Sequence, residues 1–237
     1  MAQQRRHKVR GQFRKLVFGS PNPADVGRVV PVPHFQKIVN VWNSTNYYDF
    51  GIERFFRLFL VLSKVFFPGI YIEYLTRKSS YQQRKIIGEF YIIFKTLMPF
   101  FMLYFELWHH HWLFVINIYL LIETFLYIFH KIFIPEHNHD KTHNRSLILL
   151  FFNFVEVIGS FGVVYAAGDY LNKNVDNWAD ALYFSFITGA TIGYGDYHPV
   201  NEAGKLLVIV QIISTLSFLI LFFNFFTPRI QDDSDRI

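Results

Sequence analysis

The chain has 237 residues, 20% of them aromatic and only 17% charged, with 29 phenylalanines and no cysteine. A soluble domain carries about 25% charged residues, so this excess of large apolar side chains calls for lipid as solvent, and the missing cysteine excludes a disulfide framework, a zinc ribbon and a thiol nucleophile. Mean hydropathy is only +0.21, so part of the chain must be polar and outside lipid, and whether the net charge of +5 (pI near 9.3) means nucleic acid depends on where the charges sit.

Residues 1–50 open on MAQQRRHKVRGQFRK and continue through Pro21, Pro23, Pro31 and Pro33, which one continuous helix does not accommodate. This reads as a basic, Pro-rich cytoplasmic tail; no apolar region follows the charges as it would in a signal peptide. Fifteen of the 23 Lys and Arg lie at or before Lys85. A tail held at a membrane has anionic lipid closer to hand than nucleic acid, which disfavours the nucleic-acid reading. The same charges also satisfy the positive-inside rule with no lipid contact.

Apolar runs follow at 55–75, 86–107, 112–134, 147–167 and 206–226. About 20 helical residues cross roughly 30 Å of hydrocarbon, and the last four runs meet that length. In the first, Glu53, Arg57 and Lys64 share one helical face, Val61 breaks the stripe and Pro68-Gly69 interrupts it. Residues 51–75 therefore read as an amphipathic interfacial helix, with an extra span as the alternative. Four spans put Arg77, Lys78, Arg84, Lys85, Lys141, Arg145 and the tail on one side, with both termini cytoplasmic. Residues 86–134 then form a peripheral pair of transmembrane helices.

Between the last two runs, Gly168 to Gly204 holds several acids and Lys173 as its only Lys or Arg. Asn177 can cap a short helix, with Asp180 three residues on. That helix would end near Thr188 after about 12 residues, too short to span, so the segment should dip into the membrane and return. Backbone at that depth must line a water path or be buried in protein. In Thr191-Ile192-Gly193-Tyr194-Gly195, two glycines at alternate positions allow alternating backbone handedness, which turns successive carbonyls to one side. With the Thr191 hydroxyl, those oxygens can replace the hydration shell of a cation.

The run TIGYGD resembles the selectivity filter of potassium channels. The likeness continues into Asp196-x-x-Pro199, into Gly204-Lys205 opening the last helix, and upstream into Ala181-Leu182-Tyr183-Phe184-Ser185, covering about 147–226. It implies an all-α membrane protein of the pore-loop class, assembled as a homotetramer, with outer helix, pore helix, filter and inner helix in each subunit. K⁺ would be the transported ion, coordinated by carbonyls of Thr191, Ile192, Gly193 and Tyr194, with Gly195 supporting the outer turn. No organic cofactor and no enzymatic activity are implied. Asp196 would anchor the loop and add charge at the mouth. Ile187 stands where some members have a Glu that bonds the filter aspartate, and the Tyr183 hydroxyl is the candidate substitute. Ala190 stands where many members have a second Thr or Ser.

The inner helix contains no glycine, and the family's hinge position falls near Thr215. The same register turns Leu216, Leu219, Phe223 and Asn224 toward the pore, so Phe223 with Leu219 can form a dewetting gate; the alternative is aromatic packing against lipid. Residues 227–237 read as a short cytoplasmic tail, too short for a ligand-binding domain. No span carries the repeated Arg or Lys of a voltage sensor. Lys95, Glu123 and Glu156 each fall about 14 to 16 Å deep, counted from the ends of their runs. Charges there are paired or functional, so Lys95 is expected to pair with Glu123 or Glu156, as a fixed ion pair or as a gating link to the pore. His109-His110-His111 and His137, His139 and His143 raise a metal reading. The topology puts the two clusters on opposite sides, which fits headgroup-level polar residues better than a di-iron oxygenase. The sequence thus reads as a plasma-membrane channel passing K⁺ passively, the alternatives being a weakly selective cation channel or a non-conducting regulatory subunit.

Overall fold

A computed structural model describes residues 52–76, 79, 81–133, 143–175 and 177–234. The basic tail and its proposed lipid contact, and also His137 and His139, lie outside these residues. The described chain is helical. In order it has α1 (Ile52–Ser63), a 3-10 turn (Lys64–Phe66), α2 (Pro68–Leu75), α3 (Tyr81–Tyr104), a 3-10 turn (Leu107–His109), α4 (His111–Phe133), α5 (His143–Ala166), α6 (Trp178–Gly189) and α7 (Glu202–Ser234). An isolated antiparallel bridge, Leu171 to Pro199, is the sole β pairing among the described residues.

Among the described residues four helices are long and apolar enough to cross a bilayer, over Ile86–Tyr104, His111–Phe133, Leu147–Ala166 and Glu202–Phe223. They correspond to the last four apolar runs. The break expected at Pro68-Gly69 separates α1 from α2, because proline fits the first turn of a helix but not its interior. The inner helix runs past its apolar run, continuing to Ser234.

α5 is the hub, packed against α3, α4, α6 and α7. Its buried face, Val157, Phe161 and Tyr165, meets Phe184 and Ile187 of α6 and Phe218 and Leu221 of α7. A second cluster joins Met102 and Leu103 of α3 to Val163 of α5 and Ala181 of α6. Gly159 and Gly162 admit these close approaches: a Cβ on Gly159 would lie 2.9 Å from the Phe100 ring, and one on Gly162 would lie 3.2 Å from Leu103. Below these clusters Arg145 of α5 is bonded to Glu89 of α3. The short helix α6 is therefore held on a layer of longer helices, with its C-terminus against the α5–α7 seam.

Candidate functional site

Local chemistry starts α6. The Asn177 side chain accepts from the N–H groups of Ala179 (2.8 Å) and Asp180 (3.1 Å), two of the donors a helix N-terminus leaves unpaired. At the other end, a Cβ on Gly189 would fall 2.3 Å from Ile158, so a residue without a side chain lets the helix end reach α5. Polar groups lock this contact. Ser185 Oγ donates to the Ile158 carbonyl (2.6 Å), and Gln211 Nε2 of α7 donates to the Ser185 carbonyl (2.7 Å) and hydroxyl (3.0 Å). The Tyr165 hydroxyl of α5 donates to Gln211 Oε1 at 2.7 Å. Gln211, fully buried, thus ties three helices together. Its signal in the sequence is an amide in mid-span, where polar side chains find partners across helices.

Beyond α6 the backbone alternates in hand. Thr191, Gly193 and Gly195 have φ of 57°, 56° and 83°, and no residue between them has positive φ. Left-handed backbone is free for glycine but costs a β-branched residue about 1 to 2 kcal/mol, so Thr191 is strained. Bonds back to α6 hold the strained turn: Thr191 N–H donates to the Thr188 carbonyl (3.0 Å) and Ile192 N–H to the Ile187 carbonyl (2.8 Å). Such alternation turns successive carbonyls toward one side, and the α6 C-terminus adds its negative dipole end at the foot of the loop.

Asn172 clamps the segment that follows. Its Nδ2 donates to the Asp196 carbonyl (3.3 Å), its Oδ1 accepts from His198 N–H (2.9 Å), and its own N–H donates to the His198 carbonyl (3.0 Å). Asn201 repeats the device beside it, Nδ2 donating to the Asp169 carbonyl (2.8 Å) and Oδ1 accepting from Gly204 N–H (2.7 Å). Tyr183 stands close enough to Asp196 that desolvation and the neighbouring carboxylate raise its pKa above the usual tyrosine value. The Tyr183 ring packs edge-on to Tyr197 at 6.1 Å. Asn172 was not anticipated, because an exposed loop asparagine carries no local signal of a partner 24 residues away. Asn172→Ala removes a donor and an acceptor at once. It is expected to leave the helices intact and speed hydrogen exchange at the His198 amide, whose acceptor it removes.

On α7, Leu216, Leu219 and Phe223 are exposed on the face opposite buried Ser214, Ser217, Phe218 and Leu221. Thr215, at the hinge position, is buried and its hydroxyl bonds the Gln211 and Ile212 carbonyls of its own helix (both 3.1 Å). The intramembrane charges meet where α3, α4 and α5 converge. Lys95 Nζ lies 3.7 Å from Glu123 and 3.4 Å from Glu156, and donates to Thr124 Oγ1 at 2.5 Å. Thr124 in turn bonds the Glu156 carboxylate (2.9 and 3.0 Å), and the Tyr91 hydroxyl donates to Glu123 at 2.5 Å. Among the described residues no group of three His, Asp or Glu side chains gathers as a metal site.

A re-entering helix, a strained loop of alternating hand and two flanking apolar helices define a pore-loop unit of the ion-channel class. Residues 147–232 match the family model described as "Ion channel". The chain is 42% identical over 50 residues to a hyperpolarization-activated voltage-gated potassium channel of Methanocaldococcus jannaschii, covering 21% of this chain and 24% of that protein. It is 28% identical over 116 residues to the voltage-gated potassium channel Kch of Escherichia coli, covering 46% of this chain and 28% of that protein. Against potassium voltage-gated channel subfamily A member 5 of Mus musculus it is 28% identical over 97 residues, or 38% of this chain and 16% of that protein. The matched stretches thus span at most 28% of these relatives. No solved structure matches. Residues 147–232 are thus similar to an ion-channel pore module, and the relatives that match parts of the chain are potassium channels.

Proposed function

We propose that the protein is a potassium-selective channel of the plasma membrane, formed by four copies of this chain and passing K⁺ down its electrochemical gradient. The observation that carries this reading is the alternation of positive φ at Thr191, Gly193 and Gly195 directly after α6. Four such loops around an axis would offer rings of carbonyls from Thr191, Ile192, Gly193 and Tyr194, with the Thr191 hydroxyls innermost, in place of the ion's water. Asp196, with Tyr183 beside it, would brace the loop and with Asp180 and Glu202 raise the cation concentration at the mouth. Both termini would lie on the cytoplasmic side, with the basic tail near anionic lipid. Purified protein in liposomes is expected to give Ba²⁺-sensitive flux with K⁺ preferred over Na⁺. A reversal potential that does not separate the two ions would point to a weakly selective pore, and absence of any flux to a non-conducting subunit.

The exposed side of α7 carries the gate of this reading. Phe223, with Leu219 one turn earlier, would form an apolar ring that dewets in the closed state. Phe223→Ala is expected to raise open probability several-fold in single-channel recordings. An unchanged value would assign Phe223 to lipid or helix packing.

A further inference from the structure

The segment before the first spanning helix does not pack as a surface helix would. α1 runs antiparallel to α4: Phe56 meets Phe133 (5.0 Å between ring centroids) and Phe129, Leu60 and Val61 pack with Leu126 and Phe129, and Phe67 meets Tyr119 (5.4 Å). From Phe133 to Tyr119 is about 21 Å along a helix axis. α2 then turns back and packs on α3, whose first residues lie at the same end as the last residues of α4, since Tyr91 and Lys95 meet Glu123 and Thr124.

The tip of this hairpin satisfies its backbone from within the protein. The break before Pro68 frees the carbonyls of Lys64, Val65 and Phe66, and each has a protein donor. Phe67 N–H donates to Lys64 (3.2 Å), the Tyr71 hydroxyl to Val65 (2.8 Å) and the Tyr119 hydroxyl to Phe66 (2.5 Å). At an aqueous interface water would serve these groups; at hydrocarbon depth only the protein can. Ile52, Phe55, Phe59, Leu62 and Phe66 form an exposed apolar stripe along α1, suited to acyl chains. Gly69 brings the tip onto the charge cluster, for a Cβ there would lie 3.3 Å from Glu123 Oε1.

We propose that residues 52–76 form a membrane-inserted helical hairpin, entering from the side on which α4 ends and resting its tip on Glu123. It serves as a control arm between the N-terminal region and the Lys95–Glu123–Glu156 cluster, and through Glu156 reaches the outer helix of the pore. The inference rests on the membrane reading above, and only its flux arm requires the channel to conduct.

The cysteine-free chain allows single spin labels in the full-length protein, reconstituted in liposomes. The ratio of oxygen to nickel-chelate accessibility is expected to be several-fold higher at Phe66→Cys than at Ile52→Cys, and to fall again at Leu75→Cys. Equal ratios at all three positions would mean a helix lying in the interface. High ratios in mid-segment with the 52 and 75 labels quenched from opposite sides of the membrane would mean a span; either result overturns the hairpin. For the control arm, Gly69→Val should change K⁺ flux at least threefold in the wild-type background and have no further effect in Glu123→Ala. Unchanged flux in a conducting wild type overturns the arm. If the wild type does not conduct, the channel reading fails, and the arm is then judged by whether Gly69→Val alters label mobility at Phe66→Cys only while Glu123 is present; no change overturns it.

Discussion

Gly193→Ala is expected to abolish K⁺ flux while leaving helix content and membrane insertion unchanged. The argument turns on handedness, not on space. A Cβ at Gly193 would meet nothing within 4 Å in its own chain, yet the residue sits at φ 56°. Alanine there costs roughly 1 to 2 kcal/mol per copy, and the chain escapes that cost by returning the residue to negative φ. That return reverses the neighbouring peptide and turns one carbonyl away from the row. Thr191 already strains the same short loop, so little further strain can be absorbed locally. Four copies would carry the defect in one ring, and a missing ring leaves a partly dehydrated ion without ligands. Flux from purified Gly193→Ala liposomes, beside wild type at equal protein incorporation, checks this; wild-type flux would remove the assigned role of the alternating backbone. Gly195→Ala, at φ 83° and also without a close neighbour, is the companion variant and is expected to act in the same direction.

The pore loop was legible because its geometry is backbone geometry, and glycine is the residue through which backbone hand shows in a sequence. Asn177 is equally legible, since a cap acts on residues two and three positions away. The spans were legible for another reason: lipid demands a run of apolar residues whatever their partners are. Gln211 and Asn172 show where this stops. Their partners lie 26 and 24 residues away, at distances no periodicity reports. The α1–α2 segment shows a subtler limit. Its amphipathic pattern gives a face and a break but not a depth, because a charged stripe can turn to water or to another helix. Lys64 is 2.6 Å from His130 of α4, a contact that turns one of its charges inward.

Lys95→Met is expected to be among the most destabilising single substitutions in this chain. Lys95, Glu123 and Glu156 are all buried, Lys95 with only 4% of its surface exposed, and both carboxylates lie within 4 Å of one ammonium. With the ammonium gone, two carboxylates within about 7 Å of each other face one another in a medium that solvates neither. Breaking a buried pair from one side costs about 3 to 5 kcal/mol, which for a chain of this size corresponds to a fall in thermal midpoint of roughly 10 °C. Thr124 would lose its Lys95 donor as well, and so the bridge from α3 to Glu156. Lys95→Met combined with Glu156→Gln should recover much of the loss, because the remaining carboxylate, Glu123, keeps its hydrogen bond from Tyr91. Thermal unfolding in detergent, followed by the loss of helical circular dichroism, measures both variants. A midpoint unchanged in Lys95→Met would show that the cluster does not hold α3 and α4 to the outer helix. Recovery of the midpoint without recovery of gating in the double variant would separate a fixed tie from a moving one: the charges themselves, beyond their contribution to stability, would then carry the signal from the peripheral pair to the pore.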